Sequence, residues 1–143
     1  MKAVTVVAAL AVALVISPIH AKEKHVPLPI SVMAAKTVFI DNQTGHAEIT
    51  DRAYDALNKW GRFKILKDAK DADLILRFTA DTKGRPTPPH NDIDVSPTPI
   101  LFSVRDQTNN ELWSVSKDKP FHSQTRLDID EFKKRIEEQE KGN

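Results

Sequence analysis

The run Ile49-Thr50-Asp51-Arg52-Ala53-Tyr54-Asp55-Ala56-Leu57-Asn58-Lys59-Trp60-Gly61-Arg62-Phe63-Lys64-Ile65-Leu66 contains the change of period that decides the fold. Ala53, Ala56, Leu57 and Trp60 recur at helical spacing and make one apolar stripe. Thr50 offers a hydroxyl to the free amides of a first turn, Ile49 can staple onto Tyr54, and Gly61 suits the left-handed position that closes a helix. The spacing predicts a helix over 51–60. Directly afterwards the period becomes two. Phe63 and Ile65 face one way and Arg62 and Lys64 the other, which predicts a half-buried strand over 62–66.

The flanking residues extend this pattern. On the N-terminal side, Val38, Phe39 and Ile40 predict a buried strand over 36–40, closed by the turn-like Asp41-Asn42-Gln43-Thr44-Gly45. On the C-terminal side, 74–80 alternates, with Leu74, Leu76 and Phe78 opposite Ile75, Arg77 and Thr79. Residues 100–106 and 111–116 predict a hairpin with Ile100, Phe102, Val104, Trp113 and Val115 turned inward and 107–110 reversing the chain. Asp128-Ile129-Asp130-Glu131 reads as a capping box opening a last helix with a thin stripe of Ile129, Phe132 and Ile136. On it, Asp130–Lys134 and Glu131–Arg135 are acid-before-base pairs worth about 0.2–0.5 kcal/mol each.

The order β-α-β-β-loop-β-β-α predicts an α+β fold, an α/β two-layer sandwich. About five strands form a mixed sheet with two helices on one face. The helix between the first two strands allows a parallel crossover, and the other neighbours are expected to be antiparallel. The opposite sheet face would carry Arg62, Lys64, Ile75, Arg77, Thr79, Leu101, Ser103 and Arg105, a mixture suited to solvent or a partner.

Residues 1–21 have the layout of a secretory signal peptide. Met1-Lys2 is a short positive start, 3–16 is apolar except for Thr5, Ser17-Pro18 breaks the run, and Ala21 offers a small residue for cleavage before Lys22-Glu23-Lys24. The run is shorter than the roughly 20 residues needed to span a bilayer, so no stable membrane span is expected after its removal. Residues 22–34, with Pro27 and Pro29, read as an extended arm, and 35–143 as a single domain. Five of the nine prolines fall in 81–99, which reads as a long loop.

The chain has 143 residues, of which 40% are hydrophobic and 29% charged, with a formal net charge of +1. Those values fit one globular domain and argue against whole-chain disorder. So small a net charge supplies no electrostatic footprint for nucleic acid. The absence of Cys excludes disulfides, thiolate zinc sites and a cysteine nucleophile, and four glycines are too few for a phosphate cradle. There is no Gly-x-Ser-x-Gly elbow and no His-Glu-x-x-His, so no catalytic residue and no cofactor are implied.

The remaining candidates are thin. His90, Asp92 and Asp94 are competent metal ligands on a loop, but three such groups do not close a zinc site. Asp71 and Asp73 resemble paired acids, yet nothing apolar beside them would raise either pKa, so they read as turn residues. Trp60 and Trp113 could stack a sugar or base, but both lie on core-facing stripes. Asn42-Gln43-Thr44 is a glycosylation sequon. Arg77 and Arg105 on the open face, and Pro88 and Pro89 on the loop, are the partner-binding candidates.

From 35 to 116 the chain resembles a family of small exported bacterial α/β proteins of unassigned function. It is similar as well to the α/β domain at the start of TolB and to curli-secretion-type periplasmic domains. The matching stretches are Lys36-Thr37-Val38-Phe39-Ile40, Ala53-Tyr54-Asp55-Ala56-Leu57 leading into Trp60-Gly61-Arg62-Phe63, Ala72-Asp73-Leu74-Ile75-Leu76, and Glu111-Leu112-Trp113-Ser114. These are packing motifs. The resemblance implies an envelope protein that binds other proteins and carries over no catalytic residue. The expectation is thus a non-catalytic periplasmic or secreted module with an envelope or extracellular protein partner. The alternatives are a small metal-dependent hydrolase or a small-ligand carrier using the 81–99 loop.

Overall fold

The computed structural model describes residues 25–80, 99–117 and 121–142, the last stretch with side chains from Ser123 onward. The leader over 1–21, and Pro88, Pro89, His90, Asp92 and Asp94, lie outside the described residues. In chain order the elements are α1 (Ile30–Ala34), β1 (Thr37–Asn42), α2 (Ala47–Trp60), β2 (Lys64–Leu66), a 3₁₀ turn (Ala69–Asp71), β3 (Leu74–Ala80), β4 (Ile100–Arg105), β5 (Glu111–Ser116) and α3 (Phe121–Lys141). The five strands form one mixed sheet in the order β2-β1-β3-β4-β5.

The helix–strand switch at Gly61 is as expected. Gly61 takes φ +72°, and its N–H donates to the Leu57 carbonyl at 2.9 Å, closing α2. The chain then returns as β2, parallel to β1. The expectation that the other pairs are antiparallel fails once, because β1 also pairs with β3 in parallel. That ladder lengthens β1 to Asn42, into the expected turn: Asn42 pairs with Phe78, and Gln43 N–H donates to the Phe78 carbonyl at 2.8 Å. β3–β4 and β4–β5 are antiparallel, with a register shift between Val104 and Arg105.

One face of the sheet is dry. Val38, Leu74, Leu76, Phe78, Ile100, Phe102 and Val104 are buried against Ile49, Ala53 and Leu57 of α2 and Ile129, Phe132 and Ile136 of α3. Phe132 is the hub, with ring centroids 5.4 Å from Trp113, 6.0 Å from Trp60, 6.1 Å from Phe102 and 6.3 Å from Phe63. Both tryptophans are therefore packing residues, as their stripes indicate.

β2 is shorter than expected, Lys64–Leu66 in place of 62–66, and three helical boundaries move as well. α2 starts at Ala47 with His46 at its N-cap, so Thr50 is not the cap. Ile49 is fully buried in the core, whereas Tyr54 is 50% exposed, so no staple joins them. The arm expected over 22–34 is extended only as far as Pro29 among its described residues. There the chain turns into α1, whose Val32 enters the core. The last helix starts at Phe121, so Asp128 lies inside α3 and caps nothing. Residues 124, 125 and 128 extend the buried stripe by two polar turns, a pattern no hydrophobic period reveals.

Candidate interaction surface

α2 and α3 both lie on one side of the sheet, so its other face has no helix over it among the described residues. Register sets what that face displays. Leu66, Phe39, Ile75 and Arg105 form one cross-strand row, Asp41, Arg77, Ser103 and Ser114 the next, and Thr79, Leu101 and Ser116 a third. A polar rail thus runs between apolar side chains.

Arg77 and Arg105 both sit on this face, each held in place. Arg77 Nε donates to Asp41 Oδ2 at 2.7 Å, and Gln43 Nε2 donates to the same oxygen at 3.0 Å. Arg105 donates to Ser103 Oγ at 3.2 Å, to the Asn109 carbonyl at 2.9 Å and to Glu111 Oε2 at 3.1 Å. Their charges are spent within the face, so it is a fixed polar surface and not a basic patch. Arg62, expected here, belongs elsewhere: it donates to Glu140 Oε1 at 2.6 Å and to the Met33 carbonyl at 3.0 Å.

The two sheet edges differ. β2 is three residues long and begins with exposed Lys64, both ordinary protections against unwanted pairing. β5 has six residues, Glu111-Leu112-Trp113-Ser114-Val115-Ser116, with neither Pro nor Lys. It is the terminal strand of the sheet, so one side of its backbone has no ladder partner among the described residues. The hairpin leading to it is fixed by Asn109 at φ +67° and by Asp106, whose carboxylate accepts from Asn110 N–H and Thr108 Oγ1. Side-chain hydrogen bonds from Asn110 and Thr108 hold the Asp106 carboxyl below its ordinary range.

Asp71 and Asp73 do not form a paired-acid site. Asp73 Oδ2 accepts from Lys36 N–H at 2.8 Å and Thr37 N–H at 2.9 Å, while Thr37 Oγ1 accepts from Asp73 N–H. These bonds stitch the starts of β1 and β3 together and lower the Asp73 pKa. Asn42 of the sequon is similarly occupied, donating to the His46 carbonyl and to Thr50 Oγ1 and accepting from Thr44.

Two features have no counterpart in the hydrophobic pattern. Between α2 and α3 lies a groove of about 500 Å³, with Ala56, Trp60 and Ile129 among Arg52, Asp55, Lys59, Arg126, Asp130 and Lys133. Asp128 is fully buried, and neither of its carboxylate oxygens has a hydrogen-bond partner among the described residues. Burial pushes its pKa up to about 7; Lys117 opposes the rise and Glu131 adds to it. Lys117 itself is taken by Glu131 at 3.1 Å, which holds the Glu131 carboxyl low. The expected Glu131–Arg135 pair is thereby displaced, and Arg135 turns to the Val26 carbonyl at 2.7 Å. Starting α3 about two turns earlier would have put Asp128 on the buried stripe, since it is one position before Ile129 and four before Phe132.

Among the described residues no group of three or more His, Asp or Glu could hold a metal ion, and no helix is long and apolar enough to cross a membrane.

No protein-family model matches the chain, and no curated protein matches it. Four solved chains share a distant likeness with it, among them the following two. One is a PelC dodecamer from Paraburkholderia phytofirmans carrying a point substitution, 13% identical, covering 73% of this chain and 87% of that one, with a TM-score of 0.41. The other is a minor lipoprotein from Acinetobacter baumannii, 16% identical, covering 73% and 90%, with a TM-score of 0.33. Neither supports the TolB-like or curli-secretion-like expectation, and both are too distant to carry function or location to this chain.

Proposed function

We propose that this chain is a non-catalytic exported module that binds an extended segment of another protein along the outer edge of β5. The single observation behind this reading is that edge. It is six residues long with neither Pro nor Lys, its pairing with β4 shifts register only once, beside Glu111, and it stands beside a sheet face whose arginines are already fixed. Strand addition supplies main-chain hydrogen bonds for affinity, while alternate side chains of the added strand meet the open face and the rim of the core. Export is read from the leader over 1–21, and no reactive constellation among the described residues argues for catalysis.

A photocrosslinker placed at Ser114 tests this directly in the exported protein. An adduct that disappears when Ser116→Lys blocks the edge, and that is absent when the crosslinker sits at Asp55 on the helical face, is the expected result. Equal adducts from both faces would refute edge binding.

A second reading rests on the α2–α3 groove, whose volume is that of a small-molecule site. Four cationic side chains against two carboxylates, with an indole among them, suit a small anionic ligand with an apolar body. Native mass spectrometry of protein taken from its source checks it, a bound mass lost in Lys59→Glu being the supporting outcome.

A further inference from the structure

α3 is attached to the rest of the molecule in two different ways along its length. Its second half is anchored by Ile129, Phe132 and Ile136, all buried in the core. Gln139 and Arg135 add hydrogen bonds to Leu28 and Val26 of the arm. Between Ser123 and Asp128 the buried side chains are instead Gln124, Thr125 and Asp128, and the one large apolar residue, Leu127, is exposed. A helical segment that buries no apolar side chain has little local stability of its own, so its attachment depends on its polar groups.

Those groups are unequally satisfied. Gln124 is a clamp: its Oε1 accepts from Ile100 N–H at 3.0 Å, and its Nε2 donates to the Ile100 carbonyl. Ser116 Oγ reaches the same carbonyl at 3.3 Å, so the clamp fixes α3 at the start of β4, beside the end of β5. Thr125 Oγ1 and both carboxylate oxygens of Asp128 are buried with no hydrogen-bond partner among the described residues. The neutral acid is tolerated in that position. A carboxylate there is strongly disfavoured, and it is relieved when the side chain returns to water.

The charged groups nearby leave this conflict in place. Lys117, just after β5, favours the Asp128 carboxylate, but it is engaged by Glu131 at 3.1 Å. Glu131, on α3 itself, opposes ionisation of Asp128 and is kept charged by Lys117, with Lys134 and His25 adding to the effect. Burial outweighs the attraction of Lys117, so Asp128 titrates at about 7.

We propose that α3 is hinged at Ile129, and that ionisation of Asp128 lifts residues 123–128 off the sheet and breaks the Gln124 clamp, while the helix from Ile129 onward stays docked. The device needs neither export nor a partner, and goes beyond the edge reading. Its acid form covers the Ile100 peptide, and its alkaline form uncovers it.

The test is the ¹³Cα secondary shift of each α3 residue at pH 5 and pH 8.5. In the wild type, residues 123–128 should be helical at pH 5 and lose most of that displacement at pH 8.5, while 130–140 stay helical at both. Asp128→Asn should keep helical shifts over 123–128 at both values. Gln124→Ala, which removes the clamp, should move the wild-type transition to lower pH. Helical shifts retained over 123–128 in the wild type at pH 8.5 overturn the proposal. Loss along the whole of α3 also overturns it, since that is general unfolding with no hinge, as does the same loss in Asp128→Asn. The wild-type comparison stands without either variant, and the shifts over 130–140 report that each variant is folded.

Discussion

Asp128 has no hydrogen-bond partner among the described residues, and its burial outweighs the opposing charge of Lys117 and makes stability depend on pH in a direction opposite to that of most carboxylates. The ordinary carboxyl value is 3.8 and the folded value about 7, so between them the folded state holds a proton that the unfolded state has released. Stability from this group is complete below pH 3.8 and is lost as pH rises through about 7. At ~1.4 kcal/mol for each tenfold step in proton affinity, the gap amounts to about 4 kcal/mol as an upper figure. Asp128→Asn keeps the shape and removes the titration. Urea unfolding at pH 5 should therefore find the variant ahead by no more than about 1.5 kcal/mol, and at pH 8.5 it should be the more stable by about 2–4 kcal/mol. Asp73, Asp106 and Glu131, whose pKa values are lowered, act only at acid pH and leave this window clear. A wild-type chain whose stability does not fall between pH 5 and 8.5, or a variant that is weaker at pH 8.5, refutes the burial of an unpaired Asp128.

Other perturbations follow from named contacts. Gln124 is fully buried, accepts from Ile100 N–H at 3.0 Å and donates to the Ile100 carbonyl, so Gln124→Leu removes both bonds, leaves the carbonyl the Ser116 Oγ donor at 3.3 Å, and should lower stability by about 1–3 kcal/mol in urea titrations. Phe132→Ala empties the hub of the aromatic cluster and should cost about 3–5 kcal/mol, with the emission of both tryptophans moving to longer wavelength. Ser116→Lys, at the exposed end of β5, should change stability by under about 0.5 kcal/mol while removing partner capture.

The parts of the fold legible in the sequence are those in which hydrophobic period and burial coincide. The stripe of Ala53 and Leu57, the alternation of Leu74, Leu76 and Phe78, and the inward Trp113 and Val115 all report a single dry interface. The sequence is silent where polar side chains do the packing. Gln124, Thr125 and Asp128 are fully buried, and a capping box at Asp128 is the natural reading because Asp seldom occupies a helix interior facing a core. The second parallel pairing, β1 with β3, is equally hidden, since ladder partners distant in sequence leave no local trace. For the candidate surface, alternation alone places Arg77 and Arg105 on the open face. That their charges are already matched depends on Asp41 and Glu111 of neighbouring strands, which only register brings together.

The most direct measurement is residue-resolved amide hydrogen exchange across Glu111–Ser116 in the dilute, isolated protein. An unpaired outer edge gives alternating behaviour, with amides turned to β4 protected and those turned outward exchanging at rates near those of free peptide, while β3 is protected throughout. Uniform protection along β5 would mean that the edge is already covered, and would contradict strand addition as the binding mode.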